Sequence, residues 1–332
     1  MAYITINKQK FFNNLDIIAQ KTKSKDKIAL VLKDNAYGHG LELIASLAKE
    51  YGIKNAVVQT LDEAKKIEHL FDFILILAQK NSVAQKNFCF TINTIEDISN
   101  FSQNTTVALK VDTGMHRNGI APDELQKALE LIKRNKLKLH SVFSHHRSAD
   151  ELSSEWYWQE ENFKKIIQEL KDAGFEDITF HIDNSASLFR REEFIYDLAR
   201  VGIAAYGCLE SKFLQDDLQP ILSLYAKKIA TRVIQKDQKV GYSATFCAKV
   251  QTTLSTYDIG YGDGFFRCLS NNYTTPQGIV QAGNISMDNS SFISDKEEII
   301  VFDDARIVAK NAKTIPYEVL TSLKSELPRI IV

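Results

Sequence analysis

Val31-Leu32-Lys33-Asp34-Asn35-Ala36-Tyr37-Gly38-His39-Gly40 is the stretch on which the fold turns. The apolar run at 28–32 before it is short enough to be a buried strand, and the periodic segment at 41–49 after it reads as a helix. Lys33 therefore stands where a strand ends and a loop begins. An ammonium is costly to bury, so a lysine there is favoured if its amine is bonded to something. A desolvated lysine can form a Schiff base with an aldehyde cofactor. On position alone, the simpler reading is a lysine that snorkels to water.

Outward from this stretch, short apolar runs alternate with helical periodicity. Strands are expected at 28–32, 55–59, 73–77, 88–91, 107–112, 137–144, 178–182 and 197–201, the fourth being the least marked. The clearest helices are expected at 8–21, 122–134 and 152–173. Pro122 with Asp123 and Glu124 suits a helix start, and Gly174 suits a stop. Eight strand–helix units fit a (β/α)8 TIM-type barrel. A doubly wound sheet would want a glycine-rich turn after its first strand, and here that strand ends in lysine. Past residue 217 the texture becomes β-rich, with strands expected at 223–233, 239–242, 251–256, 278–280, 284–286 and 299–302. The expected division is a barrel over 1–217 and a mostly β domain over 218–332, with strand 1–7 a candidate member of the latter.

Net charge is −1 with both signs mixed, so nothing points to nucleic acid or an anionic membrane. No apolar run is long enough to span a bilayer, and residues 1–6 lack the pattern of a signal peptide. Cys89, Cys208, Cys247 and Cys268 are far apart, with neither metal-ligand spacing nor a disulfide framework. A cytoplasmic protein without a metal site is expected.

In such a barrel, functional groups collect at the C-terminal ends of the strands. The fifth strand ends in Lys110-Val111-Asp112-Thr113-Gly114-Met115-His116-Arg117. Lys110 needs a partner or a modification, and Arg117 could clamp a carboxylate or simply face solvent. The sixth ends in Ser144-His145-His146, one histidine inward and one outward. The seventh ends in Asp183-Asn184-Ser185, a helix cap and a possible phosphate site, and the eighth runs Arg200-Val201-Gly202-Ile203. Tyr242 alone would be an ordinary strand tyrosine.

The segment Lys33 to Gly40 closely resembles the pyridoxal-phosphate attachment motif of the alanine racemase family, and similar segments follow in register as far as Ile315-Pro316-Tyr317-Glu318. The resemblance implies that Lys33 carries the cofactor and that Tyr37, Ser185, Gly202, Ile203 and Tyr317 contact its phosphate. It implies that Arg200 faces the ring nitrogen and that His145 lies between Arg200 and a catalytic tyrosine. That tyrosine is Tyr242, in Val240-Gly241-Tyr242-Ser243, donated by the partner of a homodimer. Arg117 and the Met287 amide would take the substrate carboxylate, and Tyr261 would line the entrance. The family's lysine matching Lys110 is often carbamylated and pairs with the arginine. Asp34 replaces a small residue, a change expected not to touch the chemistry. His116 replaces a glycine and Asn118 an apolar residue, which bears on the shape of that loop.

A guanidinium can only donate, so Arg200 would keep the ring nitrogen unprotonated and weaken the electron sink. That suits proton exchange at Cα over transamination. A racemase removes a proton from one face and returns it on the other, which two bases, Lys33 and Tyr242, achieve without movement. A tyrosine, with an ordinary pKa of about 10, would need nearby positive charge, from Arg200 through His145. The implied activity is interconversion of L- and D-alanine, supplying D-alanine for peptidoglycan. A broad small-amino-acid racemase, a decarboxylase of the same fold and a cofactor-binding regulatory protein are the alternatives. A decarboxylase would be expected to pair the ring nitrogen with an acid, and the regulatory protein should lack the β domain.

Overall fold

The computed structural model describes residues 1–79, 85–213 and 217–332. Eight parallel strands, Ile28–Val31, Asn55–Val58, Phe73–Ile76, Phe88–Ile92, Thr106–Lys110, Lys138–Phe143, Thr179–His181 and Ala199–Val201, follow one another around a barrel, and the eighth returns to pair with the first. Only the seam between the seventh and eighth lacks a regular ladder. It is bridged by Asp197 N–H to the Phe180 carbonyl at 3.1 Å and Arg200 N–H to the Asp183 carbonyl at 3.0 Å. The strand Phe88–Ile92 is buried along its whole length, as its unbroken Phe-Cys-Phe-Thr-Ile run requires between two neighbours.

The surrounding helices dock by apolar stripes. In Leu125–Arg134, Leu125, Ala128, Leu129 and Ile132 face inward. Pro122 opens a 3₁₀ turn, Pro122–Glu124, in front of that helix. The next helix, Glu155–Asp172, starts later than expected, because Leu152 is exposed and no apolar stripe begins there.

The second sheet is built on Leu222–Ile234, which pairs antiparallel with Tyr3–Ile6, Thr252–Tyr257 and Glu298–Phe302. Arg329–Ile331 lies parallel to Tyr3–Ile6 on its outer side. Two expected strands are absent. Residues 278–280 contribute only an isolated bridge, Thr274 to Val280, and 284–286 form none. The backbone turns at Gly278 and Gly283, with φ of 77° and 81°, and left-handed glycines break a strand. The β-rich reading also missed two helices, Ala305–Ala312 and Pro316–Thr321, the second of which carries Tyr317 to the barrel mouth. Among the described residues no helix is long and apolar enough to cross a membrane.

Candidate active site

Lys33 leaves a buried strand and is followed by an unusual turn. Asp34, Asn35, Ala36 and Tyr37 all have positive φ, between 50° and 56°, and Gly38 follows at 76°. Left-handed backbone costs non-glycine residues about 1–2 kcal/mol each, so the surroundings must hold the turn. Glu63 Oε1 accepts from the Asp34 amide at 2.7 Å, and Asn35 Oδ1 accepts from the Leu41 amide at 2.9 Å. His39 Nδ1 lies 2.9 and 2.8 Å from the carbonyls of Ala36 and Tyr37, so it carries the proton and donates. Burial pushes the His39 imidazole down to about 4, which keeps it neutral. From the last strand, Arg329 Nε donates to the Gly38 carbonyl at 2.9 Å. The turn brings Lys33 and Tyr37 to one cavity. It also lays the Asp34 carboxylate 3.9 Å from Lys33 Nζ, on the wall of the same cavity.

That cavity, of about 750 Å³, opens at the C-terminal ends of the barrel strands. Tyr37, Lys110, Arg117, His145, Asn184 and Ser185 line it, with Arg200, Gly202, Ile203 and Tyr317. Tyr37 is wedged between Tyr206 and Tyr317, with ring centroids at 5.4 and 5.6 Å. Tyr206 is fixed in turn by its hydroxyl donating to the Val31 carbonyl at 2.7 Å and by stacking on His39 at 4.3 Å. A Cβ at Gly202 would lie 3.0 Å from the Tyr37 hydroxyl, so this glycine keeps a cradle open. The Ser185 hydroxyl accepts from the amides of Gly202 and Ala204 at 3.2 and 3.3 Å. Asn184 caps the short helix Ser185–Arg190 through the Ser187 amide at 2.9 Å.

Arg200 is buried, and acceptors surround its two terminal nitrogens. It donates to the carbonyls of Ser144 at 2.6 Å, Ile182 at 3.1 Å and His181 at 3.2 Å, and its nitrogens lie 2.5 Å from His181 Nδ1 and 3.3 Å from His145 Nδ1. Burial lowers the guanidinium to about 10, which leaves it protonated at neutral pH. Burial, then the Arg200 charge, pushes both histidines well below their usual range. Both imidazoles are therefore neutral, and their Nδ1 atoms accept. The role of His181 was missed in the sequence, where it is one more polar residue at a strand end.

Lys110 is buried, and desolvation followed by the charges of Arg117 and Arg200 lowers its amine to about 7. Its Nζ donates to Asn118 Oδ1, whose own amide donates to Asn93 Oδ1 at 3.0 Å. The loop bearing Arg117 wraps on Asp112 Oδ1, which accepts from the amides of Gly114, Met115 and His116 at 2.9, 2.9 and 3.1 Å. Burial would raise the Asp112 carboxyl, but these amide bonds outweigh it and hold it down. His116 takes φ of 55°, a left-handed position that suits glycine, so the substituted loop still presents Arg117 to the cavity.

Tyr242, Tyr261 and Met287 do not line the cavity of their own chain. They lie exposed on the second sheet's loops, where Tyr242 and Tyr261 are each tied to the segment that carries Met287. Asn284 donates to the Tyr242 carbonyl at 2.8 Å, and the Tyr261 amide donates to the Ser286 carbonyl at 3.0 Å.

Behind the site lies a buried charge cluster that the sequence reading did not find. Arg191 bonds Asp183 from Nε at 2.8 Å and also bonds Glu160, which accepts from the Tyr196 hydroxyl. His146 Nε2 stands 3.6 Å from Glu160 and 3.8 Å from Asp183. The His146–Glu160–Asp183 group has ligand-like spacing, but the guanidinium of Arg191 already fills the cation position. Burial would raise Glu160, yet the nearby His146, the Arg191 charge and the Tyr196 hydroxyl prevail and bring it from 4.5 to about 2. A depressed carboxyl stabilises the fold above its unfolded value and ceases to do so as pH falls through its folded value. The melting temperature is expected to fall as pH drops from 4.5 toward 2, and Glu160→Gln should flatten that limb in pH-resolved calorimetry.

A barrel with an amine at its first strand end, a cradle kept open by glycine and an arginine beside the same space fits an enzyme built around a phosphorylated aldehyde cofactor. The family model described as alanine racemase, N-terminal domain, matches residues 6–210, and that of the alanine racemase C-terminal domain matches 221–331. The chain belongs to the alanine racemase family, a family of pyridoxal-phosphate-dependent isomerases. It is 42% identical over 337 residues to the alanine racemase of a Nitratiruptor species, covering 99% of each chain. It is 39% identical to that of Campylobacter concisus, again over 99% of each. Among solved structures it resembles the Bacillus anthracis alanine racemase with bound L-Ala-P (TM-score 0.90, 26% identity, 100% of this chain and 95% of that one). It also resembles the Bartonella henselae enzyme with covalently bound pyridoxal phosphate (TM-score 0.85, 27% identity, 100% and 99%).

Proposed function

We propose that this chain is an alanine racemase that interconverts L- and D-alanine with two bases, in a homodimer whose sites are completed across the interface. The observation that carries the reading is the convergence of Lys33, Tyr37, Arg117, His145 and Arg200 on one cavity. The residues fit the cofactor: the glycine at 202 leaves room beside Tyr37, and Ser185 has its hydroxyl at that wall. Pyridoxal phosphate, when bound to Lys33, supplies an electron sink for the substrate Cα. Tyr37, Ser185, Gly202, Ile203 and Tyr317 hold its phosphate, with Asn184 fixing the turn that presents Ser185. Arg200 meets the ring nitrogen as a donor only. Arg117 takes the substrate carboxylate, together with the Met287 amide, and Tyr261 lines the entrance. Lys33 removes the proton of D-alanine, and Tyr242 that of L-alanine.

Donation of Tyr242, Tyr261 and Met287 by a second copy accounts for their exposure outside the cavity of their own chain, beside other exposed apolar residues such as Ile229, Val233 and Val250. We also place the domain division at 217/218, with residues 1–7 counted in the second sheet. Four free cysteines fit a reducing cytoplasm, where D-alanine would feed peptidoglycan synthesis. Circular dichroism of L-alanine incubated with the holoenzyme tests the reading: the signal should decay to zero. Decay with release of carbon dioxide and no D-alanine would mean a decarboxylase, whose product from alanine is achiral, and decay with L-serine as well would mean a broader racemase.

The cradle gives a second test. Gly202→Ala places a methyl against the Tyr37 ring, and overpacking of this kind typically costs about 1–3 kcal/mol of stability whether or not cofactor is bound. Calorimetry of the apo chain should show that loss as a lower melting temperature, and equilibrium binding of pyridoxal phosphate should weaken as Tyr37 is pushed into the cradle.

A further inference from the structure

Asp34 has no part in the reading above, yet its carboxylate lies 3.9 Å from the reactive amine of Lys33 and lines the same cavity. The left-handed turn puts it there. With φ of 53° and ψ of 52°, Asp34 adopts a conformation that few side chains tolerate and that Asp and Asn adopt more readily than most. Its backbone is pinned by Glu63, whose Oε1 takes the Asp34 amide while its Oε2 accepts from the amides of Gln59 and Thr60 at 2.8 and 3.1 Å. The carboxylate is thus positioned by the same element that positions Lys33.

The other groups facing Lys33 make the position matter. Arg117, from the loop after the fifth barrel strand, and Arg200, from the eighth strand, are cations, and Lys110, from the fifth strand, is one only below about pH 7. Tyr37 and Tyr317 present phenols. Asp150, Glu210 and Glu318 line the same cavity, and no ion pair joins any of them to Lys33 among the described residues. A cationic surrounding resists placing another positive charge on an amine, and a nearby carboxylate favours it.

We propose that Asp34 is a positioning residue that holds the Lys33 nitrogen in readiness to accept a proton. This rests on the functional reading above, in which Lys33 takes the proton of D-alanine. In that step the Cα–H bond breaks, an N–H bond forms, the electron pair stays with the substrate, and the nitrogen goes from neutral to positively charged. Asp34 offsets the new charge; when Tyr242 is the acceptor, the same Lys33 nitrogen starts protonated and gives its proton up.

The experiment uses the full chain stripped of cofactor, as wild type, Asp34→Asn and Asp34→Gly. Both replacements suit a positive φ and remove the charge. The rate at which pyridoxal phosphate forms its visible imine with Lys33 is followed across pH by stopped-flow absorbance. Only the neutral amine attacks the aldehyde, so losing the carboxylate should move the rising limb to lower pH. At a fixed pH on that limb the rate should increase about threefold, as suits a half-exposed pair. In the holoenzyme, the α-deuterium isotope effect should rise with D-alanine, the substrate whose proton Lys33 removes. A merely structural role would lower the melting temperature or the binding amplitude and leave the pH limb in place. An unmoved limb in both variants would overturn the proposal while leaving the racemase reading intact. Failure of the wild-type chain to form the imine at all would overturn both.

Discussion

Lys33→Ala should abolish racemisation. Two losses coincide in this variant. The amine that anchors the cofactor is gone, so pyridoxal phosphate can be held only by its phosphate and ring contacts. The base on one face is gone as well, and a positioned general base alone is worth about 10²–10⁴-fold. Together they should lower turnover by at least about 10⁴-fold in both directions. Circular dichroism of either enantiomer should stay flat over a time in which the wild type reaches equilibrium. The fold should survive, because the Lys33 side chain is one-third exposed and the turn after it is held by Glu63, His39 and Arg329. A wild-type melting curve with no visible absorbance on adding cofactor is therefore the expected companion result. Retention of even a tenth of the activity would remove Lys33 from the mechanism.

Much of this site was legible in the chain because its positions are set by strand ends. An apolar run such as Phe88-Cys-Phe-Thr-Ile92 can be buried only within a sheet, and eight such runs with helical spacers leave few architectures. Once the barrel is granted, Lys33, Lys110, His145 and Arg200 fall at its mouth by counting. The conformation after Lys33 was not legible. Four successive left-handed residues are held by Glu63, Leu41 and Arg329, and the last of these lies at the other end of the sequence. Local propensity carries no trace of such distant partners, so Asp34 read as an inert replacement. The Arg200–His181 contact and the Glu160–Asp183–Arg191 cluster were hidden for the same reason: each joins residues from different elements that meet only when the barrel closes. The exposed placing of Tyr242 is different. Nothing in one chain's packing demands it, and its meaning depends on a second copy.

That dependence makes Tyr242→Phe the more discriminating substitution. Phenylalanine keeps the ring and removes the only proton-transferring atom, and since Tyr242 is two-thirds exposed the fold should be unaffected. Loss of one of two bases should lower turnover about 10²–10⁴-fold. Cofactor loading through Lys33 should be complete, which separates this variant from Lys33→Ala. If the tyrosine serves the partner's cavity, the two inactive proteins should rescue each other. In a mixed dimer, one site combines both substitutions and is dead. The other combines an intact Lys33 with an intact Tyr242 from across the interface. Unfolding and refolding an equimolar mixture should put half the chains in mixed dimers, restoring about a quarter of wild-type activity, with each variant refolded alone remaining inactive. A mixture as inactive as its components would mean that Tyr242 does not reach the partner's site, and the two-base geometry proposed for this chain would fall with it.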